Sequence, residues 1–368
     1  MRVEKIALNG FRNYEWETAE FAPDTNVITG PNAQGKTNLL EAVYMLSAGR
    51  SFRTRFDKEL IGFGYSAAEI LAEVYSHDRP QSIRLLMQPG QAKKIQVNGV
   101  KKTAGELSAV VNTVLFCPDD LNLIKEGASV RRRLMDNAIS QIRPRYAEVL
   151  AEFNRLYEHK SRILKDWREK PSLLDTLDEF SDAMARASAH LIRYRASFAE
   201  RLHEAAAPIH REFSGEGEAL SLRYCTVSTV KDPGASVRDI YYDICDHQER
   251  HRQAELEAGQ CLTGAHKDDL EISINGRPAR SFASQGQTRT AALSLKLAER
   301  EIFLAETGEY PILLLDDVLS ELDTRRQEFV LNRIGGGQTL ITCCEDEGIS
   351  QRTGGKVLFV EKGRIKSN

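Results

Sequence analysis

Three stretches of this 368-residue chain place complementary chemistry in one sequence. The first, Gly30-Pro-Asn-Ala-Gln-Gly35-Lys36-Thr37, fits the phosphate-loop pattern G-x-x-x-x-G-K-[ST]. Its glycines let successive backbone N–H groups face an anion without a Cβ in the way, and Asn32 lies inside the turn. Lys36 is the expected cation for the β- and γ-phosphates, and Thr37 the expected hydroxyl on Mg²⁺. The second stretch, Pro311-Ile-Leu-Leu-Leu-Asp316-Asp317, is an apolar run ending in two carboxylates. Asp316 reads as the metal-side acid and Asp317 as the catalytic group that orients or deprotonates the attacking water. The third, Ser284-Gln-Gly286-Gln287, sets a hydroxyl and glycine amides at the start of a long helical pattern, a second anion site. A chain that already owns one phosphate cradle has no need of another, so this one is expected to act in trans, across a dimer. Ser320-Glu-Leu-Asp323 follows the acid pair, and Asp323 also suits the N-cap of the next helix.

Chemistry of this kind needs strands to carry the loops and helices to present their N-termini. Val27-Ile28-Thr29 reads as the strand before the phosphate loop, and Leu39, Leu40, Val43 and Leu46 recur at helical spacing after it. The acid-bearing strand is expected beside that first strand. Alternating patterns predict strands over 68 to 76 and 82 to 88, and hairpins at Asn98-Gly99 and Asn275-Gly276. From about 119 to 213 the texture turns helical. Two apolar stripes, Val149 to Trp167 and Leu177 to Phe213, flank a break at Pro171 and predict an antiparallel helical hairpin. A strand over 219 to 231 and a helix over 236 to 257 follow. Helix 286–307 and strands 312–315, 338–342 and 356–361 then complete an α/β pattern. The expected fold is therefore α/β: one mixed sheet with helices, interrupted by a helical lobe. The expected boundaries are 1–118 and 261–368 for the nucleotide-binding lobe and 119–260 for the helical one.

Charged residues make up 28% and hydrophobic residues 41%, as in an ordinary soluble protein. No apolar run approaches the roughly 20 residues that cross a bilayer, and the N-terminus alternates like a strand, so the expected location is cytoplasmic. The six cysteines form no C-x-x-C pair, which speaks against a disulfide framework or a zinc site. With a net charge of −3, any nucleic-acid surface has to be a local patch. Between Lys125 and Lys170 basic residues outnumber acidic ones, most densely at Arg131-Arg132-Arg133. That cluster either contacts DNA phosphates or is a solvated helix face. Arg50 and Arg53, in Gly49-Arg-Ser-Phe-Arg-Thr54, either touch DNA or nucleotide or belong to a solvated loop.

The order of phosphate loop, S-x-G-Q, apolar strand with paired acids and S-x-L-D resembles the ABC-type ATPase heads of the SMC/Rad50 class. Phe11-Arg-Asn-Tyr14, Gly49 to Thr54, Phe116-x-Pro118-x-Asp120-Leu121, Arg131-Arg-Arg-x-x-Asp136, Thr263-Gly-x-His266-x-Asp268-Asp269 and Phe282 to Gln287 narrow the resemblance to the RecF family along essentially the whole chain. That resemblance implies a DNA-binding ATPase of recombinational repair, acting with RecO and RecR to direct RecA onto single-stranded gaps. It implies ATP and Mg²⁺ as cofactors, double- and single-stranded DNA as partners, slow DNA-stimulated hydrolysis, and an ATP-dependent homodimer. In that dimer Ser284 of one copy meets the γ-phosphate held by the other. A DNA-binding scaffold with a largely structural nucleotide is the alternative. The sequence departs from the ABC pattern in three places. Asp317 stands where Glu is usual, no histidine follows the next strand, where Thr342-Cys343-Cys344 stands, and Asp119 or Asp120 occupies the region of the usual glutamine loop.

Overall fold

The structure, a computed structural model, describes residues 1–226, 230–344 and 348–367. The chain divides into two compact units, Met1–Asn122 with Ala292–Asn368, and Leu123–Ala291.

In the first unit β1 (Arg2–Phe11) and β2 (Tyr14–Glu20) form a hairpin, and β3 (Thr25–Thr29) leads through the phosphate loop into α1 (Lys36–Ala48). There follow β4 (Ala68–Ser76), β5 (Arg79–Met87), β6 (Lys94–Val97), β7 (Val100–Lys102), the single turn α2 (Ala104–Leu107) and β8 (Thr113–Phe116). After the second unit the chain returns with the later part of α8 (Gln285–Thr307). It continues through β12 (Ile312–Asp316), α9 (Thr324–Leu331), β13 (Thr339–Cys343), α10 (Ile349–Thr353), β14 (Lys356–Glu361) and β15 (Arg364–Ser367).

Two six-stranded sheets result where a single mixed sheet was expected. One is antiparallel, in the order β2-β1-β4-β5-β6-β7, and the other runs β15-β14-β3-β13-β12-β8. The pattern of burial explains the division. Strands β3, β12 and β13 are buried at every position, as suits parallel strands covered on both faces, whereas β4 alternates along its length. Ile28, Leu39, Leu40, Val43, Ile312, Leu314 and Leu340 belong to one apolar core with Val3, Ile6, Leu8, Ile70 and Leu85 of the antiparallel sheet. In the hairpin turn Asn98 and Gly99 both take positive φ, 50° and 78°, which is what an Asn-Gly turn of the I′ type requires.

The second unit is mainly helical: α3 (Ala128–Ile142), α4 (Pro144–Asp166), α5 (Leu177–Phe213) and α6 (Val237–Ala258). Helices α4 and α5 pack together across the break at Pro171, and α6 packs on α5 as a third long helix. The stripe residues Val149, Phe153, Leu156, Ile163, Met184, Leu191, Phe198 and Leu202 are all buried. Trp167 is half-buried and donates its indole N–H to Leu256 O at 3.2 Å. The strand expected over 219 to 231 is β9 (Leu220–Cys225), and 227–229 lie outside the described residues. It pairs antiparallel with β10 (Asp269–Ile274), which turns at Asn275-Gly276 into β11 (Arg277–Pro278) and α7 (Ala279–Phe282). Because β10 pairs with β9, residues 261–291 fold within this second unit.

Candidate functional site

The phosphate loop is shaped by backbone that only glycine accommodates. Gly30 has φ 143°, and a Cβ there would lie 2.1 Å from Val360 O. At Gly35, φ 123°, a Cβ would come within 2.9 Å of the Asn13 amide and the Tyr14 hydroxyl. Those two side chains brace the loop: Asn13 Nδ2 donates to Gln34 O at 2.8 Å and Tyr14 Oη to Gly35 O at 2.9 Å. Beside Asn13 the β14–β15 turn donates Lys362 N–H to Gln34 Oε1 and Gly363 N–H to Gln34 O. Helix α1 begins with no side-chain cap and no acid in its first turn, so its leading amides and positive dipole end are directed at the loop.

Lys36, only 4% exposed, lays its ammonium across the loop, donating to Gly30 O at 2.7 Å and Pro31 O at 3.1 Å. Thr37 Oγ1 donates to Asp316 Oδ1 at 2.9 Å. Asp316 was expected on a strand beside β3. Instead β13 lies between β12 and β3, and Thr342 on β13 fills the gap. Its hydroxyl donates to Asp316 Oδ1 at 2.9 Å and accepts from Asp317 N–H at 2.8 Å. Burial pushes the Asp316 carboxyl above its ordinary range, and the Thr37 and Thr342 hydroxyls oppose that shift. Asp317 takes φ 50°, a left-handed conformation in a non-glycine residue, and its Oδ1 is buried without a hydrogen-bond partner. The donor set of Thr37 and Asp316, with an unsatisfied carboxylate oxygen next in the chain, fits a hard divalent cation such as Mg²⁺.

Thr342 was missed as a site residue. So was Glu41, fully buried one turn after Thr37 in an otherwise apolar stretch of α1. Its carboxylate receives a bidentate pair from Arg12 at 2.8 and 2.7 Å, accepts from the Ser51 hydroxyl, and lies 3.9 Å from Arg53. Arg53, itself exposed, also donates to Asn38 Oδ1 at 2.8 Å. The Phe11-to-Tyr14 and Gly49-to-Thr54 stretches thus converge on one buried carboxylate behind the phosphate loop. A lone acid on the apolar face of a helix, which must have a partner, was the available signal.

The loop after β13 places Cys344 Sγ 2.9 Å from Asn32 Oδ1 and 4.0 Å from Lys36 Nζ, in the region where the sequence lacks a histidine. Asp120 accepts the Cys117 backbone N–H at 2.9 Å and closes its own turn. Asp119 is exposed.

In the second unit Ser284 is exposed at the start of α8. Its N–H donates to Gln287 Oε1 at 2.8 Å, and its Oγ accepts the Gln287 N–H at 3.2 Å, a reciprocal cap. Gly286 lies between them in the first turn. Asp323, in the first unit, caps α9 by accepting the Arg326 N–H at 3.0 Å.

The basic cluster needs correction. Arg131 is 3% exposed and makes a bidentate pair with Asp269 at 2.8 and 2.9 Å, also donating to the carbonyl oxygens of Leu123, Ile124 and Glu126. It is an interior strut and not a DNA contact, since one helix face cannot leave three successive side chains in solvent. Arg132 is half-buried on Asp268 O, and only Arg133 is exposed. Asp268 accepts the Tyr224 hydroxyl and His266 packs on Tyr157 at 4.5 Å, so this stretch also builds the interior. Among the described residues no cluster of His, Cys, Asp or Glu forms a metal site, and all six cysteines are free. A different basic feature appears instead. Arg143, Arg193 and Arg201 line a cavity of about 280 Å³ together with Ser197 and apolar side chains including Phe198. Arg50 is exposed. No helix of the described residues is long and apolar enough to cross a membrane.

A phosphate loop, a hydrogen-bonded threonine–aspartate pair at the end of a mixed sheet and a capped S-x-G-Q helix start define an ATPase head of the ABC type. Residues 2–365 match the family described as RecF/RecN/SMC N terminal domain. The "DNA replication and repair protein RecF" of Acetivibrio thermocellus is 38% identical over 367 residues, 99% of each chain. Among solved structures, that of the recombination mediator protein RecF-ATPrS in the RecFOR pathway is 34% identical, with TM-score 0.93 over 100% of this chain and 98% of that one. The Smc head domain of Pyrococcus furiosus, bound to the C-terminal domain of ScpA, shares the fold at TM-score 0.57 and 18% identity, over 100% of this chain and 95% of that one. The chain belongs to the RecF family.

Proposed function

We propose that this chain is an ATP-dependent DNA-binding protein of recombinational repair that closes as a homodimer around ATP and reopens on slow, DNA-stimulated hydrolysis. The observation that carries it is the assembled pair Thr37–Asp316 beside a glycine-shaped loop, together with the exposed, capped Ser284. In this reading Gly30, Asn32, Gly35 and the α1 amides wrap the phosphates, and Lys36 neutralises β- and γ-oxygens. Ser284, Gly286 and Gln287 of a second copy meet the γ-phosphate, while Asp323 serves at the loop between copies. Thr37 and Asp316 would hold Mg²⁺, which when bound supplies charge neutralisation of the phosphate oxygens. Asp317 holds the attacking water and takes its proton as the water oxygen bonds to the γ-phosphorus and the bond to the bridging oxygen breaks. The short reach of an aspartate supports a slow rate.

DNA binding in this reading falls on Arg133, Arg50 and Arg53 and on the cavity-lining Arg143, Arg193 and Arg201, whose guanidinium groups suit phosphate oxygens. RecO and RecR are the partners that family membership supports, and action in the cytoplasm follows from repair of DNA there. Asp317 in place of Glu also favours a second reading, a DNA-bound scaffold whose nucleotide is rarely hydrolysed. Sizing the protein with and without ATP, and with DNA, tests the first reading. A chain that stays monomeric at saturating ATP and Mg²⁺ would overturn it.

A further inference from the structure

Glu218 lies in the turn between α5 and β9 and is held from two sides. Its Oε1 accepts from Gln287 Nε2 at 2.9 Å, and its Oε2 faces His210 Nε2 at 3.1 Å, in the last turn of α5. Burial pushes His210 below its ordinary value while Glu218 opposes that shift, and a ring nitrogen facing a carboxylate is the donor, so Nε2 carries the proton. A carboxylate offers no donor. The Gln287 amide must therefore turn its NH₂ toward Glu218, which leaves its oxygen for the Ser284 N–H at 2.8 Å. Were the amide to flip, an NH₂ would face an N–H and the cap on Ser284 would open. The turn carrying Glu218 is itself anchored. Ala219 N–H donates to Asn275 Oδ1 at 2.8 Å, and Asn275 N–H returns a bond to Ala219 O at 2.9 Å. Asn275 starts the segment of β11 and α7 that leads to Ser284.

We propose that Glu218 is a positioning residue for Ser284: it fixes the orientation of the Gln287 amide and thereby joins the end of the long helix α5 to a phosphate held by a second copy. This rests on the composite-site reading above.

The test uses the full chain, a fluorescent ATP analogue for nucleotide affinity and sedimentation for the ATP-driven dimer. Glu218→Ala is expected to weaken the dimer about tenfold or more while nucleotide affinity of the monomer stays within about twofold. Glu218→Gln keeps an acceptor oxygen toward the Gln287 amide, and its new NH₂ donates to His210 Nε2 with the imidazole in its other tautomer. This variant is expected to keep the dimer within about threefold of the parent. Parent-like dimerisation of Glu218→Ala overturns the proposal, and so does a Glu218→Gln variant as weak as Glu218→Ala, because the acceptor toward Gln287 would then not be what the dimer needs. Ser284→Ala separates the two readings. If it dimerises with ATP as the parent does, the composite site fails; if it does not while Glu218→Ala does, only the role of Glu218 fails.

Discussion

Thr37 and Asp316 stand 279 positions apart in the chain, yet their side chains meet at 2.9 Å. They meet because β3 and β12 run parallel on either side of β13 and end at the same edge of the sheet. Thr342, at the end of the strand between them, bonds both members of the acid pair.

Thr342→Val keeps the volume and removes both bonds. The Asp317 N–H then lacks its acceptor, at a cost of about 1–3 kcal/mol. Nucleotide affinity is expected to stay near the parent value and hydrolysis to fall about tenfold, because the left-handed backbone that aims Asp317 is no longer held. Single-turnover phosphate release beside equilibrium nucleotide binding reads the two effects separately.

Lys36→Arg keeps a cation but forces a wider, planar group into a space where the ammonium already bonds two carbonyl oxygens. Nucleotide is expected to bind while the ATP-driven dimer is lost. Chelating Mg²⁺ from the parent protein is expected to have the same effect in the same sizing experiment. Full activity of Lys36→Arg favours the scaffold reading.

The arginines of the second unit should behave in opposite ways. Arg131→Ala leaves Asp269, a third exposed, without its bidentate partner and the Leu123, Ile124 and Glu126 carbonyl oxygens without a donor, and is expected to cost about 1–3 kcal/mol of stability. Arg193→Glu, in the lining of the cavity, is expected to change stability by less than about 0.5 kcal/mol. It should weaken DNA binding and flatten its dependence on salt. Denaturant melts and DNA titrations at two salt concentrations check both. An Arg131→Ala protein that melts like the parent would remove the interior role assigned to it.

His266 adds a dependence on pH. Burial against Phe153 and Tyr157 lowers it from 6.5 to about 4, with Lys267 and Arg132 contributing in the same direction. Between those two values the unfolded chain binds the proton and the folded chain does not. Its contribution is therefore fully present above pH 6.5 and lost as pH falls toward 4. Thermal melts of the parent should drop over that window, and those of His266→Phe should drop less steeply.

Much of this was legible in the sequence because it is local. The glycine spacing of the phosphate loop, the Asn-Gly turns, the apolar run into Asp316-Asp317 and the Asp323 cap each depend on residues a few positions apart. Their conformations follow from backbone sterics and short-range hydrogen bonds. The helical stripes also marked the buried faces of α4 and α5, since periodicity reports which side must leave water.

What only the tertiary structure decided is pairing across long separations. Sequence placed Asp316 on a strand beside the phosphate loop, but strand order is set by which buried surfaces fit together, and it put β13 and Thr342 between them. It left Arg131 as either a phosphate contact or part of a solvated helix face, whereas the fold brought Asp269 to it from 138 positions away. Charge alone cannot say whether an arginine meets solvent or an acid that the fold brings to it. For the same reason Glu41 and Glu218 drew no notice. Each matters through partners that only the folded chain brings within hydrogen-bond distance.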